Sequence, residues 1–376
     1  MTATRYRPVW AEVDLGAVRD NVRALAAVVA PARVMAVVKA DGYGHGAIPV
    51  SDAALDAGAA QLGVALVEEG VRLRETGIDA PVLVLSEPVA DAAETVVRND
   101  LVPVVYTVPG VEALAKAVVA VGGTEPLPVH LKVDTGMHRV GCRPEDALDL
   151  ALHIQSHPEL RLAGTCTHLA VADEPGNEYS NDQLARFALL LDTLRANRVE
   201  PGIVHTANTA GALALPAARY DLVRAGIGIY GIHPSDELAT SVDLRPALAV
   251  KAQVSFVKDL PAGARISYGL RYELPHASRV ATVPIGYADG VPRALGHRDG
   301  EVLIRCHRCR IAGTITMDQL MVDVGDAPVE AGDEVVLLGA QGSEQITAGD
   351  WARKLDTIPY EVVCQIGPRV PRRYIG

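Results

Sequence analysis

Lys39 closes the apolar run RVMAVV (33–38) and opens the loop ADGYGHG. A charged side chain is costly to place at the wall of a buried sheet, so a lysine there needs a reason. Similar groups recur where other apolar runs end. Lys132 and Asp134 precede TGMHRVG, which holds Arg139; His168 ends AGTCTH; Asn208 and Thr209 stand in HTANTAG; and Arg224 leads into AGIGIYG. One such residue would be unremarkable, but polar or cationic groups at five run ends form a constellation.

These residue types suit one chemistry. Thr209 offers a hydroxyl, and Gly226 leaves room for a phosphate to approach the amide of Ile227. A phosphate cradle combined with a lysine at a strand end points to pyridoxal 5′-phosphate (PLP), which needs a lysine for its Schiff base and a partner for its ring nitrogen. Arg224 is a candidate partner. An arginine only donates hydrogen bonds, so it would leave the ring nitrogen unprotonated. That weakens the electron sink and favours quick removal and return of a proton over decarboxylation or transamination.

The elements that must position these groups are legible as short β-branched runs. Strands are expected near 33–38, 62–66, 81–85, 102–106, 128–133, 163–168, 203–207 and 222–224, separated by amphipathic stretches. In 181–196, Leu184, Phe187, Leu190, Leu191 and Leu194 share one helical face. About eight such units in about 230 residues predict an α/β fold, a (β/α)8 TIM barrel, whose chemistry sits where strands end. An open doubly wound sheet would place a GxGxxG turn after its first strand; Lys39 stands there instead. Beyond residue 240 the runs 247–258, 278–285, 301–305 and 308–324 alternate polar with apolar, which predicts a mostly-β C-terminal domain. The expected division is an N-terminal strand segment, 1–13, that pairs with the C-terminal domain, a PLP-binding barrel over 14–242, and a β-rich domain over 243–376.

Composition narrows the partners. The chain has 376 residues and a net charge of −11, which repels phosphodiester backbones and makes nucleic acid an unexpected partner. No run of about 18 apolar residues predicts a membrane span, and the N-terminus lacks the apolar core of a signal peptide. Five scattered cysteines suit a reducing, cytoplasmic setting. The CHRC pair at 306–309 raises zinc, but no second Cys or His pair is read at ligand spacing, and no metal is expected.

At this point a resemblance enters. AVVKADGYGHG (36–46), LKVDTGMHRVG (131–141), THLAVADE (167–174), HTANTAG (205–211), VRAGIGIYG (223–231), ISYGL (266–270), PIGYADGVPR (284–293), TMDQLMVDVG (316–325) and TIPYEVVC (357–364) occur in order over nearly the whole chain. Together they resemble the bacterial alanine racemases, PLP-dependent isomerases built from a barrel and a β domain. The resemblance implies that Lys39 holds PLP and is one of two catalytic bases. It makes Tyr268 the second base, contributed by the other subunit of a homodimer with shared active sites. His168 and Arg224 would supply the contacts to that tyrosine. Arg139 would steady it and bind the substrate carboxylate, together with the backbone amide of Met317. Lys132 matches a lysine that many members carbamylate; an ion pair with Asp134 is the plainer reading. Tyr43, Tyr360, Thr209, Gly226 and Ile227 match phosphate contacts, and Asn208 lies in the same cofactor motif. Tyr287 and Tyr360 match the inner gate of an entry channel, and Asp173 and Arg293 further channel positions. The implied product, D-alanine, serves peptidoglycan.

Three positions depart from the family pattern. Thr314 stands where an outer-channel arginine is usual, Thr316 where cysteine is, and Ala225 where proline is. None is one of the two bases, but Thr314 changes the channel's charge and width. The alternative is therefore a racemase with another or broader amino-acid set, such as serine. A non-catalytic PLP-carrier barrel would lack the β domain, and a decarboxylase would need a C-terminal cysteine motif that is not found.

Overall fold

The near-continuous apolar runs become a barrel, and the alternating runs become an open sheet. The structure is a computed structural model that describes residues 6–376. Residues 1–5, the start of the expected segment 1–13, lie outside the described residues. The chain forms two compact units. One comprises Ala17–Gly42 and Ala47–Arg245; the other comprises the described residues up to Gly16, Tyr43–Gly46 and Pro246–Gly376.

Strand β1 (Val9–Asp14) belongs to the second unit. The first unit holds β2 (Arg33–Val37), β3 (Gln61–Val64), β4 (Val82–Val84), β5 (Val102–Val105), β6 (Leu127–Lys132), β7 (Leu160–Cys166), β8 (Ile203–His205) and β9 (Leu222–Ala225). All pair in parallel, in the order β8-β7-β6-β5-β4-β3-β2-β9. The Asp221 amide donates to the Val204 carbonyl (3.1 Å) and the Arg224 amide to the Ala207 carbonyl (3.0 Å), which nearly closes the barrel between β8 and β9. Buried Met35, Leu83, Val104, Cys166 and Leu222 form one cluster across five of the strands. Helices cover the wall through apolar stripes: in Tyr179–Ala196 the buried residues include Leu184, Phe187, Leu190, Leu191 and Leu194, as the sequence predicted.

In the second unit, β1 pairs antiparallel with β10 (Leu248–Gln253) and parallel with Arg372–Ile375. Alternation of buried and half-buried residues along β10 and Leu320–Gly325 marks a sheet with one covered face. The expected run 308–324 is two strands, His307–Ile311 and Leu320–Gly325, not one. The break falls at Gly313, where φ is +79° and an added Cβ would lie 2.7 Å from the Ile266 carbonyl oxygen. That interruption creates the loop carrying Thr314, Thr316 and Met317.

Candidate active site

Lys39 is half-buried at the end of β2, on a left-handed turn. Ala40, Asp41, Gly42 and Tyr43 have φ of +52°, +51°, +62° and +52°. Each non-glycine residue in that conformation costs about 1–2 kcal/mol. Neighbours hold the turn in place. The Ala40 amide donates to Glu69 Oε1 (2.6 Å), the Gly42 amide to the Val38 carbonyl (2.8 Å) and the Ala47 amide to Asp41 Oδ1 (3.0 Å). Fully buried Tyr230 donates its hydroxyl to the Val37 carbonyl (3.0 Å), which pins the last turn of chain before the lysine.

Arg224, on β9, is buried in the barrel and donates five hydrogen bonds. Nη1 reaches His205 Nδ1 (2.8 Å) and the His205 carbonyl (3.1 Å). Nη2 reaches His168 Nδ1 (2.9 Å) and the carbonyls of Thr167 (2.9 Å) and Thr206 (2.7 Å). His205 Nε2 continues the chain to His130 Nδ1 (2.8 Å). Burial and then the Arg224 charge hold the His168 and His205 imidazoles well below their ordinary pKa. His130 is lowered to about 3 by burial, with Arg161 and Arg224 adding to it. Burial and nearby cations thus disfavour charge on all three rings. Sequence reading missed His130 and His205. Their signal was period-two placement: His130 stands two residues before Lys132 on β6, on the same inward face.

Lys132 is buried and donates from Nζ to the Leu85 carbonyl (2.8 Å). The plain reading of an ion pair with Asp134 is thereby corrected: Asp134 instead accepts from the amides of Gly136 and His138 (3.0 Å each) and faces the His138 ring at 3.3 Å. Burial lowers the Lys132 ammonium's pKa, and Arg224, Arg139 and Lys39 push the same way. Lys132, Arg139 and His168 line one pocket together with Asp134, Met137 and Thr167. Asp173 lies exposed in the loop beyond His168.

Beyond β8, Thr209 Oγ1 accepts from the amides of Gly226 (3.0 Å) and Gly228 (3.4 Å), so two loop amides converge on one oxygen. A Cβ at Gly228 would meet the Thr209 methyl at 2.6 Å, so only glycine permits this approach. Ile227 is buried between them. Asn208 caps the helix Thr209–Ala214 by accepting from the Gly211 amide (2.9 Å). This arrangement fits a phosphate, and the all-donor Arg224 fits an acceptor ring nitrogen. With Lys39 at the adjacent strand end, the residues present fit PLP.

The second unit gathers the remaining candidates into two groups. The Tyr43 and Tyr360 rings lie 6.2 Å apart, and burial raises the Tyr43 phenol's pKa. Tyr268 is 72% exposed, and buried Thr314 donates Oγ1 to its carbonyl (2.8 Å) while Ser267 Oγ donates to the Thr314 carbonyl (2.6 Å). The Tyr287 amide donates to the Thr316 carbonyl (3.0 Å) and the Ala288 amide to the Met317 carbonyl (3.1 Å). Tyr268, Thr314, Met317 and Tyr287 thus stand on one hydrogen-bonded loop system. Arg293 is exposed, in the short helix that ends at His297, whose Nε2 lies 3.4 Å from Thr314 Oγ1.

Cys306 is exposed at a hairpin turn, and Cys309 is buried. Among the described residues, the one group of metal-ligating side chains includes neither. It includes His153 and His157, which correct the reading that no second pair stood at ligand spacing. That reading looked only for partners to the cysteines.

Comparison with known proteins agrees with this geometry. The family model "Alanine racemase, N-terminal domain" matches residues 13–234, and "Alanine racemase, C-terminal domain" matches 247–374. An alanine racemase of Symbiobacterium thermophilum is 50% identical over 371 residues, 98% of each chain. The crystal structure of alanine racemase from D-cycloserine-producing Streptomyces lavendulae superposes with a TM-score of 0.93 at 40% identity, covering 99% of this chain and 98% of that one. A histidine racemase from Leuconostoc mesenteroides shares the fold at a TM-score of 0.90 and 30% identity, covering 99% of each chain. With a nearly closed parallel barrel, a β-sheet unit and a cradle that fits PLP, the chain belongs to the alanine racemase family of PLP-dependent isomerases.

Proposed function

We propose that this protein interconverts L- and D-alanine and so supplies D-alanine for peptidoglycan in the cytoplasm. The observation that carries the reading is Lys39 at a strand end alongside the Thr209–Gly226 cradle and Arg224, in a chain 50% identical to an alanine racemase. PLP, when bound, supplies the electron sink that acidifies the substrate's α C–H. Thr209, the amides of Gly226 and Ile227, Tyr43 and Tyr360 would hold its phosphate, with Asn208 shaping the turn. Arg224 would keep the ring nitrogen as an acceptor.

Lys39 would anchor the cofactor and carry the α-proton on one face of the substrate. Tyr268 of the partner subunit would carry it on the other. A tyrosine is a weak base at neutral pH; neutral His168, whose Nδ1 accepts from Arg224, would donate its Nε2–H to the Tyr268 oxygen and so stabilise the phenolate form that takes up the α-proton. Arg139 and the Met317 amide would bind the substrate carboxylate. Lys132, whose charge burial disfavours, could take up carbon dioxide as an anionic carbamate, releasing a proton and pairing with Arg139. Exposed Tyr268, Leu270, Tyr287 and Met317 support a homodimer in which each chain completes the other's site.

Chiral chromatography of L-alanine incubated with the PLP-loaded protein tests the activity. Formation of equal L- and D-alanine is expected, and unchanged L-alanine would overturn the proposal. Thr314 in place of a channel arginine favours a second reading, turnover of larger amino acids. Tyr287, Tyr360, Asp173 and Arg293 would then set a wider channel. A panel of L-serine, L-lysine and L-histidine distinguishes the two readings.

A further inference from the structure

A second cluster lies among the helices that cover the barrel, apart from the candidate active site. Glu112 projects from the helix Val108–Ala120, and His153 from the last turn of the helix Ala147–Gln155. His157 follows one turn later, just past the helix end. His153 Nε2 lies 3.1 Å from Glu112 Oε1, and His157 Nε2 lies 3.5 Å from the same oxygen. All three ligand atoms fall within 4.8 Å of one another.

The geometry separates a metal site from a pair of ordinary hydrogen bonds. Both Nε2 atoms are sealed from solvent, and neither makes a hydrogen bond, despite an oxygen at bonding distance. Neither ring nitrogen is therefore satisfied by that oxygen, although all three atoms lie close together. Zinc bonds of about 2.0–2.1 Å at tetrahedral angles separate neighbouring ligand atoms by about 3.3 Å, which matches the 3.1 and 3.5 Å found here. Glu159 Oε2 lies 3.9 Å from His157 Nδ1, too long for a hydrogen bond but close enough to place a carboxylate beside that ring. The two carboxylates, Glu112 and Glu159, match a divalent charge. Glu112, Lys116, His157 and Glu159 line one groove.

We infer that Glu112, His153 and His157 form a divalent-cation site of the zinc class, with Glu159 as the outer partner of His157. The site lies at the start of β7, whereas His168 follows that strand's end. Seven residues of strand separate the two by about 20 Å, so the cation would clamp two wall helices together and take no part in the proton transfers. This inference does not depend on the proposed racemase activity.

Zinc chloride added to the chelator-treated, PLP-loaded protein tests it, with bound metal measured after gel filtration and cobalt(II) used as a spectroscopic substitute. One zinc per chain is expected, with the intense visible bands of tetrahedral cobalt. His157→Gln and Glu112→Gln should each weaken binding about tenfold or more, and His153→Gln/His157→Gln should abolish the cobalt bands. Exposed Cys306 is a competing thiol, so Cys306→Ser should leave the zinc count unchanged. Racemisation and circular dichroism of the variants should equal wild type, which separates lost ligation from lost folding. Absence of zinc binding by wild type, or equal binding by wild type and the double histidine variant, overturns the inference.

Discussion

Arg224 Nη1 lies 2.8 Å from His205 Nδ1, and this contact sets proton positions along a chain of imidazoles. Arginine can only donate. His205 Nδ1 must therefore accept, its proton sits on Nε2, and that proton points at His130 Nδ1. By the same logic His168 accepts at Nδ1 and carries its proton on Nε2. The orientation of the His168 ring is thus fixed from inside the barrel.

Replacing His205 tests that chain. His205→Leu removes the acceptor for Arg224 Nη1 and the donor to His130 Nδ1. Leaving a buried polar group unsatisfied costs about 1–3 kcal/mol, so an unfolding free energy in urea lowered by that amount and a reduced kcat are expected. His205→Gln, which can keep an acceptor in place, should recover part of both.

The same imidazoles make stability depend on pH. His130, His168 and His205 are depressed in the folded state, His130 to about 3, while an unfolded histidine titrates near 6.5. Between those values the unfolded chain binds protons that the folded one does not. Their contribution is therefore complete above about pH 6.5 and is lost as pH falls toward 3, by up to about 1.4 kcal/mol per pH unit for each ring. Urea unfolding between pH 8 and 4.5 should show a plateau and then a steep decline. A flat profile would show that the rings are not neutral in the fold.

Tyr268 offers a face-selective readout. L- and D-alanine are equally stable in water, so kcat/KM must fall equally in both directions when either base is lost. Isotope exchange escapes that constraint. In heavy water, Tyr268→Phe should stop solvent deuterium entering L-alanine while D-alanine continues to exchange through Lys39. Continued exchange into L-alanine would remove Tyr268 from the role.

The proposed sharing of sites between subunits predicts rescue. Lys39→Ala and Tyr268→Phe chains should each be nearly inactive, but co-expressed they should recover about a quarter of wild-type activity, because half the dimers would hold one intact site. No recovery would mean that each chain is complete by itself.

The left-handed turn after Lys39 is a further lever. Glu69 accepts from the amides of Ala40, Ala65 and Leu66. A hydrogen bond to a charged group contributes about 1.5–3 kcal/mol. Glu69→Ala should release the turn and weaken PLP retention about tenfold or more in a dialysis assay, with Glu69→Gln intermediate.

The sequence by itself determined the barrel strands, because residues buried on both sides of a parallel sheet must be apolar throughout, and a lysine ending such a run stands out. It also determined which residue types could serve PLP, since Lys39, Thr209 and Arg224 carry their chemistry in their side chains. Only the tertiary structure decided what Lys132 touches: a side chain two residues from Asp134 instead reaches a carbonyl just past the end of β4, at Leu85. The structure alone also placed His130 and His205 on one wire and brought Glu112 to His153 and His157. Those contacts join residues up to 75 positions apart, and no local pattern encodes a distance that only the closing of the barrel creates.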